Sequence, residues 1–199
     1  MGKLFIGTAL TLLTYDISVG NHGLLGIVPH FLGFILIFFG ARKFEKDSGF
    51  FDRLQLPCYI MLVYSAAYYM IKATGLINNI ENFNRFIVYF MDLIETIGII
   101  LVSYLVLFAI TNMEHKKRRD WGCKKLQKFW KGMVFCYILY YISYITNITS
   151  GASSKEMTQF ALITAMIMLI FNVVKVLGSV IYLMLFYGVW AKYVEDVHS

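Results

Sequence analysis

The chain has 199 residues, of which 59% are hydrophobic and 15% are charged, and its formal net charge is +6. Soluble domains carry about 25% charged residues, and one water-soluble core could not enclose so many Phe, Tyr, Leu and Ile side chains. The composition therefore excludes an ordinary soluble domain and predicts one polytopic membrane domain over residues 1–199, with the lipid bilayer as its main partner.

Six apolar segments follow one another along the chain, separated by short polar loops. They cover residues 4–14, 24–41, 54–74, 86–111, 132–148 and 159–187. A span needs about 20 residues, so the first segment is short and the last must tilt or bend. Lipid offers no partners to free backbone groups, so the spans are expected to be helices. The predicted fold class is an all-α transmembrane helix bundle with six spans; the alternative is five spans with a re-entrant or interfacial first segment.

The basic residues are distributed unevenly between the loops. With six spans, fourteen of the eighteen lie on one side and only Arg85 and Lys155 on the other. Cytoplasmic loops carry the excess of Lys and Arg, so the protein is predicted to lie in the cytoplasmic membrane with both termini on the cytoplasmic side. Charge placed in this way reflects topology and argues against nucleic acid as a partner.

One basic stretch has a further property. Four lysines alternate with apolar side chains in KKLQKFWK, which predicts an interfacial helix that binds anionic lipid headgroups. These lysines are Lys124, Lys125, Lys128 and Lys131. A cytoplasmic protein partner on this face is the alternative.

Glycines recur every seven residues in the second segment. On a helix, Gly26, Gly33 and Gly40 form one seam that allows close approach of a neighbouring helix. His30 projects from the same face, and Pro29 before it is expected to kink the helix. A polar group lining a path and a histidine bonded within a packed interface are both compatible with this pattern.

Ionisable residues inside the apolar segments are the main functional candidates, because charges within a membrane are rare and usually face a cavity or a partner. Asp92 and Glu95 are three residues apart, hence on one helical face, at about 9 and 13 Å from Phe86. Lys72 ends the third segment at a similar depth, so a pair with either acid is expected. A cation or proton site and a structural ion pair both remain open.

The sixth segment contains Lys175, with Asn172 on the same face. Many apolar residues lie on either side of this lysine, which therefore should face the bundle interior. A structural pair is one interpretation, and contact with an anionic group of a solute is another.

Tyrosines form two stripes at helical spacing. Because buried tyrosine hydroxyls need hydrogen-bond partners, both stripes should face inward, either as helix packing or as an aromatic pocket for a cationic or aromatic solute. They comprise Tyr64 and Tyr68 in the third segment and Tyr137, Tyr140, Tyr141 and Tyr144 in the fifth.

No catalytic, nucleotide-binding or metal-binding motif is present in the sequence, so we expect neither an enzyme nor a cofactor nor a metal site. The three cysteines do not have metal-ligand spacing.

The run GLLGIVPHFLGF at 23–34, which follows LFIG near the start, resembles an uncharacterised family of small bacterial integral membrane proteins. That family is expected to have an acid after the proline, where this chain has His30. Size, helix count and a basic cytoplasmic face are also similar to the substrate-binding components of energy-coupling-factor vitamin transporters, in architecture alone.

Two main function hypotheses follow from the sequence, and a third class, a lipid-modifying enzyme, would require an acid/base pair among His30, Asp92 and Glu95 near the headgroups. The first is a small solute transporter, or a substrate-binding transporter subunit, with an intramembrane polar and aromatic site. The second is a non-catalytic membrane partner, an assembly or immunity subunit, that acts through helix–helix contacts at the glycine seam.

Overall fold

The computed structural model describes residues 1–13, 16–18, 24–26, 29–44, 49–150 and 155–198. These residues form seven helices and one short two-stranded ladder. The helices are α1 (Gly2–Leu12), α2 (His30–Phe44), α3 (Phe50–Ala73), α4 (Leu76–Phe83), α5 (Arg85–Lys117), α6 (Cys123–Ser150) and α7 (Lys155–His198). Strands β1 (Asp16–Ser18) and β2 (Leu24–Gly26) pair antiparallel, with Ile17 opposite Leu25.

The protein is an α-helical membrane protein. Three helices in the described residues are long and apolar enough to cross a bilayer: Phe50–Ala73, Phe86–Lys117 and Leu169–His198. The helix Gly2–Leu12 is apolar but shorter. Length and composition make these three helices candidate membrane spans, and the arrangement with six spans stays a prediction.

The second apolar segment was predicted to be one continuous helix, and this prediction is wrong. Residues 24–26 form strand β2, and the helix begins only at His30. Pro29 therefore lies before the helix and does not kink it, because proline suits a helix start and disfavours helical backbone in the residue before it. The 15 residues of α2 reach only about 22 Å at 1.5 Å per residue.

The chain divides into two compact units, Met1–Cys123 with Phe186–Ser199, and Lys124–Leu185. In the first unit α1 packs on α2, α2 on α3, and α3 on α5, while the short helix α4 connects α3 to α5. Gly75, at φ +73°, makes the turn between α3 and α4, and the Asn84 side chain accepts a hydrogen bond of 2.9 Å from the Phe86 N–H at the start of α5.

The packed faces of α3 and α5 follow a seven-residue period. Alternating spacings of three and four keep one seam toward the neighbouring helices, as in coiled coils. In α3 the buried residues are Phe51, Leu54, Cys58, Met61, Ser65 and Tyr68. In α5 they include Glu95, Ile99, Val102, Val106, Ala109 and Met113. Asp92 and Glu95 thus lie in a helix whose orientation is fixed by a mostly apolar seam.

Candidate functional site

Six of the polar side chains identified in the sequence come together at the end of the first unit where α2 begins, α3 ends and α5 begins. We call this group the polar cluster. It consists of His30, Tyr64, Tyr68, Lys72, Asp92 and Glu95. Three helices contribute to it, and the residues around it in those helices are mostly apolar.

His30 and the more buried acid, Glu95, form one pair of the cluster. His30 Nδ1 lies 3.0 Å from Glu95 Oε1, which joins the first residue of α2 to the inward face of α5. The carboxylate accepts the bond, so the ring nitrogen donates it. Glu95 is buried, and its side chain is 10% exposed. The pair therefore supplies Glu95 with the partner that a carboxylate in an apolar environment requires.

The lysine and the more exposed acid form the second pair, which is one of the two pairs that the sequence left open for Lys72. Lys72 Nζ lies 3.7 Å from Asp92 Oδ1 and 4.5 Å from the centre of the Tyr68 ring. The Tyr68 hydroxyl donates a hydrogen bond of 2.5 Å to the same carboxylate oxygen. The ammonium thus contacts both a carboxylate and an aromatic face. The Asp92 side chain is 38% exposed, so this pair is open to the surroundings.

Helical spacing explains why these side chains meet. Tyr64, Tyr68 and Lys72 are spaced by four residues along α3, and Asp92 and Glu95 by three along α5, so each group occupies one face of its helix. The Tyr64 hydroxyl donates to the Met91 carbonyl oxygen at 2.8 Å, which ties the two faces together. Tyrosine hydroxyls within apolar helices are satisfied in this way by polar atoms of a neighbouring helix.

The candidates of the fifth and sixth segments lie in the second unit. The Lys175 ammonium lies 5.3 Å from the centre of the Tyr137 ring, a cation–π contact. The rings of Tyr140 and Tyr141 pack edge to face with centroids 5.4 Å apart. The side chains of Asn172 and Tyr144 lie outside the part of the chain that the structure describes, so their predicted places on these faces stay predictions.

The three predicted packing glycines do not form one helical seam. Gly26 lies in strand β2, four residues before α2 begins. Gly33 and Gly40 lie on α2 and contact α1 of the same chain. A Cβ on Gly33 would lie 2.7 Å from the carbonyl oxygen of Gly7, and one on Gly40 2.9 Å from the side chain of Leu4. Gly7 was not predicted to be a packing glycine. Its spacing of four from Thr11 is nevertheless the small-residue pattern typical of close helix packing.

The basic end of the first unit contains an ordered turn that the sequence analysis also missed. Glu114 Oε1 accepts hydrogen bonds from the backbone N–H groups of Trp121 at 2.6 Å, Gly122 at 3.0 Å and Cys123 at 3.5 Å. The Trp121 indole N–H donates to Asp196 at 2.5 Å. Burial, together with the charge of Glu114, raises the pKa of the Cys123 thiol well above its ordinary value.

The lysines predicted to bind lipid headgroups follow directly after this turn. Their side chains are exposed, while the intervening Leu126 is buried. They are Lys124, Lys125, Lys128 and Lys131. This alternation is compatible with an interfacial position for the start of α6.

Comparison with known proteins yielded no match to a protein-family model, to a curated protein or to a solved structure. The functional argument therefore depends on the residues and contacts of this chain.

Proposed function

We propose that this chain is a small solute transporter, or the substrate-binding subunit of a transporter, with its solute site at the polar cluster. One observation carries the proposal: four ionisable side chains from three helices meet within apolar segments, in two pairs. Such residues are costly in a membrane and typically lie on the path of a substrate or proton.

The composition of the cluster favours a solute with a positive charge. Two carboxylates face one lysine and one histidine, so the cluster has no excess of positive charge. Tyr64 and Tyr68 add aromatic faces and hydroxyl groups, which suit cationic or ring-containing solutes. Because Asp92 is the more exposed acid, it is the residue that we propose a solute meets first.

The alternative function, a non-catalytic partner subunit, gains less support. Gly33 and Gly40, the glycines of α2 proposed to receive a partner helix, contact α1 of the same chain. A partner would have to use another surface.

We expect neutralisation of either acid to abolish solute binding without unfolding the protein. The protein in lipid nanodiscs would be screened by thermal shift against cationic, neutral and anionic solutes, and the stabilising solute tested on Asp92→Asn and Glu95→Gln. We expect each of these two variants to lose at least tenfold in affinity for the solute, which corresponds to about 1.4 kcal/mol of binding free energy. The matched control is Glu195→Gln, since Glu195 is exposed on α7. A solute that stabilises all variants equally would contradict the site, and no stabilising solute would contradict the function.

We further propose six spans with both termini in the cytoplasm of a bacterial cell. In a variant without the three native cysteines, Lys125→Cys is expected to react with a membrane-impermeant maleimide only after the cells are opened. Glu81→Cys, on the exposed face of α4, is the matched position on the proposed outer side and should react on intact cells. Labelling of position 125 on intact cells would reverse the proposed orientation.

A further inference from the structure

We propose that the solute is a small organic monocation, an alkylammonium, and that the Lys72 ammonium occupies its binding position in the absence of solute. This inference depends on the proposed function and identifies the class of solute. Lys72 Nζ contacts the two groups that recognise ammonium ions, a carboxylate at 3.7 Å and an aromatic face at 4.5 Å. The position of this atom therefore marks where the charged nitrogen of a ligand would bind.

The surroundings of Asp92 match this chemistry. Aromatic rings attract cations through their negative faces, and the attraction increases when water is excluded. The Tyr68 hydroxyl donates to Asp92 Oδ1, the same oxygen that Lys72 approaches. This bond fixes the carboxylate beside the ring, so a cation that leaves the position can be replaced by another without rearrangement of α3 and α5.

The charge balance selects a monocation. Glu95 is paired with His30 at 3.0 Å, whereas Lys72 approaches Asp92. When the lysine leaves, one positive charge is removed from beside Asp92, and a solute with one positive charge replaces it. A dication would bring one positive charge more than Lys72 supplied to a position between apolar helices, which is unfavourable.

The position of Lys72 in α3 allows it to leave. It is the second-last residue of that helix, and only Ala73 separates it from the turn at Thr74 and Gly75. A lysine within reach of a helix end can extend its flexible stem and place the ammonium in water. Its side chain is 14% exposed against 38% for Asp92, so an incoming cation approaches the acid from the more open side.

The experiment measures binding of tetramethylammonium chloride by calorimetry to protein in nanodiscs of zwitterionic lipid. Lys72→Met retains the stem and removes the competing charge. We expect Lys72→Met to bind tetramethylammonium at least about tenfold more tightly than the unchanged protein. A tenfold gain in affinity is the size of one partly desolvated cation–π contact, which the solute no longer has to take from the lysine. Lys72→Met combined with Asp92→Asn should show no binding. Lys125→Met is the control, because it removes an exposed lysine far along the chain from the site.

A second measurement does not depend on any variant. Tetramethylammonium is not acylated, so it does not consume an amine-reactive reagent. Because it displaces the Lys72 ammonium, it should increase the rate at which the reagent modifies Lys72 in the unchanged protein, and mass spectrometry would measure this rate. Equal affinity of Lys72→Met and the unchanged protein, binding that persists without Asp92, or an unchanged acylation rate would overturn the inference. If a neutral or anionic solute binds in an Asp92-dependent way while tetramethylammonium does not, the proposed function stands and the inference fails.

Discussion

Replacing Gly33 with leucine is expected to prevent α1 from packing on α2 and to abolish recovery of folded protein. The space for even one additional carbon is absent, because a Cβ on Gly33 would lie 2.7 Å from the Gly7 carbonyl oxygen and 3.0 Å from the Thr11 backbone nitrogen. Both are backbone atoms, so the helices must separate. Overpacking a core typically costs about 1–3 kcal/mol, and displacement of a whole helix should exceed that range.

The measurement is the fraction of monodisperse protein in detergent and its unfolding midpoint. Gly33→Ala should be intermediate, and Gly188→Ala is the matched control, since a Cβ there would meet nothing within 4 Å in helix α7. An alanine in place of that helical glycine should be neutral or stabilise the protein by up to about 1 kcal/mol. If Gly33→Leu behaved like Gly188→Ala, the close contact of α1 and α2 would be wrong.

The parts of the site that depend on local periodicity could be predicted from the sequence. The spacing of three between Asp92 and Glu95 put both acids on one face, and the position of Lys72 at the end of its segment matched the depth of Asp92. The structure shows the resulting pair at 3.7 Å. Helix geometry alone places residues of one helix on a common face. Which of the two acids pairs with Lys72 depends on how α3 packs on α5, so the sequence left that choice open.

Contacts between distant helices could not be predicted in the same way. His30 and Glu95 are 65 residues apart, and their contact depends on where α2 begins, which the apolar run from residue 24 did not indicate. Apolar continuity cannot distinguish a strand from the start of a helix over a few residues. Gly26 was assigned to the wrong element for that reason. Gly7 was missed because its partner, Gly33, lies in another helix.

Glu114 is the clearest example of a residue that sequence analysis could not identify. It lies at the end of α5 directly before a basic run, where an exposed acid is common, and its partners are backbone N–H groups that have no residue type to recognise. In the structure it is buried and accepts from three successive residues of the turn before α6. Backbone N–H groups at the start of a helix lack partners within the helix and favour a negative charge there.

Replacing Glu114 with alanine is therefore expected to destabilise the protein by about 3 kcal/mol, because hydrogen bonds to a charged group each contribute about 1.5–3 kcal/mol. In a chain of this length the unfolding midpoint should decrease by about 10 °C. Glu114→Gln retains one acceptor oxygen and should lose less, which separates the hydrogen bonds from the charge. Glu195→Ala removes an exposed acid and should leave the midpoint unchanged. Equal midpoints for Glu114→Ala and Glu195→Ala would show that the turn does not depend on this carboxylate, and the bonds to Trp121 and Gly122 would then contribute nothing to stability.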